Sequence, residues 1–304
     1  MRKIEKTIRV INSVSELHRL LVLPPPKSTQ VTVVNHCDTG DGYADDMQRL
    51  VLNFYQVCIK KNFRGQMKYG RNYYDFDKGT MTFSAPNQVI AIDRGNERDQ
   101  DGWSLMFHPD LIRNYPLGKS IKTYGFFSYD TTEALHLSDE EEKLIEGLVK
   151  NIQHEYESKI DHFSADVIVS NLELLLNYCN RFYNRQFITR KMANNDLLSR
   201  FENMLTKYLA QDPLTSLPTV NKLAEELSVS SSYLSDMLRT VTGQNTQQRI
   251  HEKLIEKAKG ILATTNLSVS EIAFSLGFEY SQSFNKLFKS KTNMSPLEYR
   301  QSYH

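Results

Sequence analysis

Gln282 and Lys286 stand four residues apart, one helical turn, in a stretch where Phe284 and Phe288 repeat at the same spacing. The phenylalanines claim the inward face of such a helix. Ser281, Gln282, Asn285, Lys286 and Lys289 are then left on or near its outward face. A carboxamide offers a donor beside an acceptor and matches the N6/N7 edge of adenine, while an ammonium reaches guanine or a phosphate oxygen. Bond-making chemistry has no comparable constellation elsewhere. His36 and His108 are isolated and form no His-x-His pair with a downstream carboxylate. Asp45-Asp46 and Asp139 to Glu142 have the character of solvated or helix-N-terminal charge rather than an acid/base pair. No catalytic residue, metal site or cofactor is therefore expected.

The elements that must hold the outward residues occur twice. Val220, Leu223, Ala224, Leu227 and Val229 each have an apolar or identical counterpart 49 positions later, in Val269, Ile272, Ala273, Leu276 and Phe278. Past the turn the offset becomes 50, with Leu234 matching Phe284, Leu238 matching Phe288 and Thr242 matching Thr292. Each copy reads as a short helix, a tight turn and a second helix. In the first, Thr219 caps the leading helix, Ser228 to Ser230 form the turn, and Ser231 to Val241 form the second helix. In the second, Ser268 and Glu271 form a capping box, Leu276-Gly277-Phe278 turn, and Ser281 to Lys291 follow. Small Ala224 and Ala273 let the paired helices cross closely.

Between the copies Thr246 to Leu262 reads as one helix of about 25 Å, comparable with the roughly 34 Å between successive major-groove faces of duplex DNA. Ser295-Pro296-Leu297-Glu298 starts a last helix with cap, N1 proline and N3 glutamate in place.

Upstream, Val31–Val34, Leu50–Val57, Thr80–Ser84 and Val89–Ile92 are short, β-branched or aromatic runs separated by turn residues such as Asp77-Lys78-Gly79 and Ala85-Pro86-Asn87. They suggest a small antiparallel sandwich or barrel. A capping box at Ser138–Glu141 opens a helix through Leu144, Ile145, Leu148 and Ile152. Another helix carries Ile168, Leu172, Leu175, Leu176, Cys179 and Phe182 on one face. Thr189 to Asp196, polar and aperiodic, reads as a linker, and Leu197 to Leu209 as a helix ending before Asp212-Pro213. The aromatic cluster Tyr115, Tyr124, Phe126, Phe127 and Tyr129 suits either a packed core or the lining of a small-molecule pocket.

Among 304 residues, 40% hydrophobic and 24% charged, there is room for two domains with real cores. The net charge of +1 announces no partner held by bulk electrostatics. From Pro213 onward ten Lys/Arg face eight Asp/Glu, so few phosphates can be neutralised and salt dependence should be shallow. Cys37, Cys58 and Cys179 have no metal-ligand spacing; they fit a reduced cytosol, with Cys179 a buried inert thiol. No signal peptide is expected, and no run of about 18 apolar residues is present in this sequence.

Ile272-Ala273, Leu276-Gly277-Phe278, Ser283-Phe284-Asn285-Lys286, Phe288-Lys289 and Ser295-Pro296-Leu297-Glu298-Tyr299-Arg300 together resemble the AraC family of transcription regulators. More weakly, Phe107-His108-Pro109-Asp110 and the two-helix segment resemble the sensor half of such proteins. The resemblance implies an α+β chain. Residues 1–188 would be a cupin-like antiparallel β-barrel with dimerisation helices, 189–196 a linker, and 197–304 an all-α domain of two helix-turn-helix units joined by a long helix. It further implies duplex DNA as partner, a cytoplasmic activator acting on RNA polymerase, a small-molecule effector in the barrel, and a homodimer through residues 138–185.

The family's base-contacting positions correspond to Ser281, Gln282, Ser283 and Lys286, and in the first copy to Ser232, Ser235 and Asp236 beside Ser231. Asp236 stands where the family commonly has a basic residue. The second helix is therefore expected to carry more affinity, and Lys222, Arg239 and Lys289 to contact phosphates. Two rival readings remain: a regulator controlled by a protein partner or its own expression level, and a metal-dependent cupin enzyme fused to a DNA-binding module.

Overall fold

A computed structural model describes residues 8–39, 49–61, 67–69, 72–74, 79–91, 101–159, 161–189, 191–211 and 213–302. Asp45-Asp46, Asp77-Lys78, Ile92 and Asp212, singled out above, lie outside the described residues. The chain divides into two units, Met1–Gln186 and Phe187–His304.

The first unit begins with β1 (Ile8–Ile11), α1 (Val14–Leu20), β2 (Val31–Asn35), β3 (Arg49–Leu52) and β4 (Tyr55–Lys60). There follow β5 (Met67–Tyr69), β6 (Asn72–Tyr74), β7 (Thr80–Ser84), β8 (Val89–Ala91) and β9 (Gly102–Phe107). Short helices α2 (Pro109–Ile112) and α3 (Pro116–Ser120) and the strand β10 (Leu135–His136) lead to the long helices α4 (Asp139–Glu157) and α5 (Ser164–Thr189). One five-stranded sheet runs β10-β7-β4-β9-β2, antiparallel throughout. A second, β1-β3-β8, pairs β1 parallel to β3, and β5-β6 form a separate ladder. Among the described residues no ladder joins the two larger sheets. The antiparallel sheet of the expected fold is thus present in the five-stranded sheet, and among the described residues its hydrogen bonds do not close a barrel.

Two details depart from the sequence reading. The run Leu50–Val57 is not one strand: the chain changes sheets at Asn53-Phe54. There the Asn53 N–H donates to Ile11 O at 3.0 Å, the Asn87 N–H donates to Leu52 O at 2.9 Å, and Phe54 is wholly buried. The strand β9, which the sequence reading did not single out, lies between β4 and β2. It starts at Gly102, whose φ of +133° and 2.2 Å clearance from the Ile59 carbonyl oxygen leave no room for a Cβ.

Helix α4 has the expected capping box: the Ser138 hydroxyl accepts from Glu141 N–H at 3.3 Å, and the Glu141 carboxylate accepts from Ser138 N–H at 2.9 Å. The α5 stripe from Ile168 to Phe182 is buried as its spacing requires. Lys61, just past β4, bridges Glu142 at 2.8 Å and Glu146, so α4 is tied to the sheet by charge as well as by packing. Tyr156 of α4 accepts the Val33 N–H on the edge strand β2 at 3.0 Å, which satisfies a donor the ladder leaves over. Tyr124, Phe126 and Phe127 are buried; Phe126 stacks on Tyr183 at 5.6 Å and packs against Phe83 at 4.4 Å. The aromatic cluster there is packed core, whereas Tyr115 points outward and bonds Asp166 at 2.6 Å. All three cysteines are free thiols, with Cys58 and Cys179 buried, and burial pushes the Cys179 thiol far up.

The second unit contains α6 (Lys191–Leu209), α7 (Val220–Leu227), α8 (Ser231–Thr242), α9 (Thr246–Thr264), α10 (Val269–Ser275), α11 (Ser281–Thr292) and α12 (Pro296–Gln301). Residues 191–196, expected as linker, are the first turns of α6. Polar side chains did not prevent helix formation there, because buried Asn194 spends its amide on the Phe187 carbonyl. No helix among the described residues is long and apolar enough to cross a membrane.

Candidate nucleic-acid interface

The second helix–turn–helix is built from its turn outward. Ser268 and Glu271 cap α10 reciprocally, at 3.2 and 2.7 Å, and these bonds hold the Glu271 carboxyl below its ordinary range. At the end of α10 the Gly277 N–H donates to Phe274 O and the Phe278 N–H to Ala273 O, both at 3.0 Å. Gly277 has φ +79°, and a Cβ there would stand 2.7 Å from the Ser216 carbonyl carbon. Conformation and space therefore both demand glycine.

Below the turn, Phe284 and Phe288 are fully buried against Ile255, Ala258 and Leu262 of α9. Burying one such ring contributes about 2–3 kcal/mol. Ring contacts continue the line: Phe278 to Phe284 at 5.4 Å, Phe284 to Phe288 at 5.7 Å and Phe288 to Tyr299 at 5.4 Å. This aromatic row fixes the rotation of α11 about its axis. Gln282, Ser283, Asn285, Lys286 and Lys289 are consequently exposed, and Ser281 is half-buried at the first turn. Gln282, Asn285 and Lys286 make no side-chain hydrogen bond or ion pair among the described residues. Asn285, Lys286 and Lys289 line one wall of a concavity of about 430 Å³ whose other side is Val269, Ser295, Pro296 and Leu297. Lys289 and Lys291 lie in the last turn of α11, where cations complement the helix dipole.

The first copy has the same frame. Thr219 caps α7 by accepting from Lys222 N–H at 3.3 Å, Ala224 and Leu227 are buried, and Ser228 closes the helix with φ +59°. Most of its outward side chains, however, are already engaged. The Ser231 hydroxyl donates to Asn221 Oδ1 at 2.8 Å, Ser235 Oγ lies 3.1 Å from Thr246 Oγ1, and Asp236 pairs with Arg239 at 3.2 Å. Ser231, Ser232, Ser235 and Asp236 are all half-buried. Lys222, expected at a phosphate, sits over the Tyr208 ring at 4.7 Å.

Other cations of this unit are also committed to the fold, a fact the sequence reading missed. Arg249 of α9 grips Glu202 of α6, its Nε at 3.1 Å, and reaches Glu252 at 3.3 Å. Lys257 donates to Leu209 O at 2.7 Å and Gln211 O at 2.9 Å, capping α6. Arg300 donates to Leu267 O at 2.6 Å and Leu262 O at 3.3 Å, fastening α12 to α9. The excess of basic residues is small, but α11 carries three exposed lysines, at 286, 289 and 291. The isolated histidines are accounted for locally. His36 bonds Ser104 at 2.9 Å, and its imidazole is pushed down to about 4, mainly by burial and then by Lys60, against an opposing effect of Asp101. His108 caps α2 by accepting from Asp110 N–H at 3.2 Å.

A protein-family model described as a helix-turn-helix domain matches residues 223–302, from the first short helix to the last. The HTH-type transcriptional regulator YijO of Escherichia coli K12 is 24% identical over 235 residues, covering 75% of this chain and 78% of its own. The raffinose operon transcriptional regulatory protein RafR of Pediococcus pentosaceus is 34% identical over 100 residues, 33% of this chain and 36% of its own. Among solved structures, the C-terminal domain of AraT, a response regulator from Geobacillus stearothermophilus, is 30% identical with a TM-score of 0.32, covering 35% of this chain and 84% of that one. With the two capped helix pairs, the glycine turn and the aromatic row in place, residues 223–302 form a helix-turn-helix domain of the AraC type, and the chain is a DNA-binding transcription regulator.

Proposed function

We propose that this regulator reads DNA chiefly through α11. Gln282 and Lys286 contact base edges, with Ser281, Ser283 and Asn285 beside them, and Lys289 meets a phosphate. Helix α8 makes a weaker second contact through Ser232, Ser235 and Asp236. The observation that carries this reading is the unequal engagement of the two outward faces: unpaired amide and ammonium groups on α11, hydroxyls and a carboxylate already bonded within the protein on α8. A carboxamide that keeps both hydrogen-bonding groups unspent can make a bidentate contact with adenine without first breaking an internal bond.

The N-terminal segment, residues 1–188, acts as a cupin-like sensor for a small molecule. Its occupancy shifts how two subunits, paired through residues 138–185, present their readers, and the outcome is activation through RNA polymerase in the cytoplasm. No step of this action requires catalysis or a cofactor. The reading is tested by selecting duplexes from a random pool with the full chain and titrating the best one with Lys286→Ala. A loss of tenfold or more in affinity is expected, on the order of one lost base contact; unchanged binding would sink the assignment. For the sensor, isothermal titration of the selected duplex with and without candidate metabolites should show a shifted affinity. Identical affinities throughout would leave a regulator without an effector.

A further inference from the structure

Position 233 in α8 corresponds, at the offset of 50, to position 283 in α11. Ser283 is exposed, whereas Tyr233 is buried at 4%. The ring of Phe187 meets Tyr233 edge-on, with centroids 5.2 Å apart and planes at 71°. Phe187 is itself 2% exposed and lies in the last turn of α5. Its carbonyl accepts the buried amide of Asn194, which ties the end of α5 to the start of α6. Tyr233 is the third residue of α8, and its N–H donates to the capping hydroxyl of Ser230 at 3.2 Å. The contact therefore bears on the first turn of α8, the end that a reading helix directs toward base edges.

We infer that Phe187 is a positioning residue for the first reading helix, acting through Tyr233. This rests on the reading of α8 as a DNA contact and adds a determinant of it that lies 36 residues before the matched domain begins at 223. In α11 the row Phe278–Phe284–Phe288 does this work within the copy itself. In α8 the aromatic partner comes from outside the copy. Removing the Phe187 ring leaves a void beneath the first turn of α8 and withdraws an edge-to-face partner. The helix end is then free to shift while α11, held by its own row, stays in place.

The test uses the full chain and the selected duplex described above, with hydroxyl-radical protection as the readout. The unaltered protein should protect two faces, one for each reading helix. Phe187→Ala should lose protection of the α8 face, keep that of the α11 face, and bind about tenfold more weakly. Phe187→Leu, which keeps most of the buried volume, should show the same face-selective loss at smaller size. Retained protection at α11 in either variant also reports that the protein is folded, which a change in melting temperature alone would not. Two faces protected by Phe187→Ala as by the parent would overturn the role of Phe187 while leaving α8 as a DNA contact. Equal loss at both faces in Phe187→Ala and Phe187→Leu alike would make Phe187 a general stabilising residue and overturn the inference. A single protected face in the unaltered protein would overturn the reading of α8 itself.

Discussion

The two helix–turn–helix copies share a frame and differ in what their surfaces have left to offer. Both cap the leading helix with a hydroxyl, bury a small alanine at the crossing and close the turn with a left-handed residue. In the second copy that residue is Gly277, and α11 rests on its own aromatic row. In the first it is Ser228, and α8 packs through Tyr233 against Phe187 from the end of α5, with Ser231, Ser235 and Asp236 bonded to neighbours. Duplication preserves packing, because packing depends on apolar positions repeating in phase. Recognition is free to diverge, since an outward serine or aspartate costs the fold little.

The largest expected effect falls on the turn. Gly277→Ala combines a positive φ with a Cβ against the Ser216 backbone and should destabilise the protein by about 2–4 kcal/mol, read by thermal denaturation. Its counterpart Ser228→Gly should move the other way, stabilising by about 0.5 kcal/mol. If both changes proved neutral, the difference between the turns would have no energetic content. Next comes binding: Lys286→Ala should cost tenfold or more in duplex affinity, while Asp236→Ala changes it by less than about threefold, its carboxylate being engaged by Arg239. Equal losses would erase the asymmetry.

Smaller still, Lys289→Ala should lower the slope of log affinity against log salt by about one, whereas Lys222→Ala, with its ammonium over Tyr208, should leave the slope unchanged. The smallest effect is pH-dependent. Glu271 and Glu298 sit in capping boxes in the second copy, and bonds to Ser268 and Ser295 hold their carboxyls low. A depressed folded pKa gives stability that is present in full above the unfolded value, roughly pH 4.3, and is lost as pH falls through the lower folded one. The first copy is capped by Thr219, Ser230 and the neutral Asn245–Gln248 box. Amide exchange measured from pH 5 to 3 should therefore open α10 and α12 before α7 and α8, and simultaneous opening would contradict this.

What could be read in advance follows the range of the interaction. The caps at Ser138, Thr219, Ser268 and Ser295 involve residues three apart, and the αL turn at Gly277 involves one, so residue type and spacing suffice. The inward phase of Phe284 and Phe288 was legible for the same reason. The sheet was less so. Leu50–Val57 looked continuous because nothing in its composition announces that Asn53 bonds back to Ile11, and β9 escaped notice although it lies between two other strands. The stretch 191–196 looked like linker because its stabilising partner, the Phe187 carbonyl, is invisible to periodicity.

By itself, then, the amino-acid sequence determined that two helix–turn–helix units exist, where their helices start and stop, and which of their faces turns inward, since local hydrogen bonds and apolar phase decide those matters. Tertiary structure decided which outward groups remain available. Arg249 is spent on Glu202, Lys257 on the end of α6, Ser235 on Thr246 and Tyr233 on Phe187, while Gln282 and Lys286 are left unpaired among the described residues. Those pairings join residues 11 to 48 positions apart. Only packing of the helices brings such groups within hydrogen-bond or ring-contact distance, and no spacing rule along the chain encodes it.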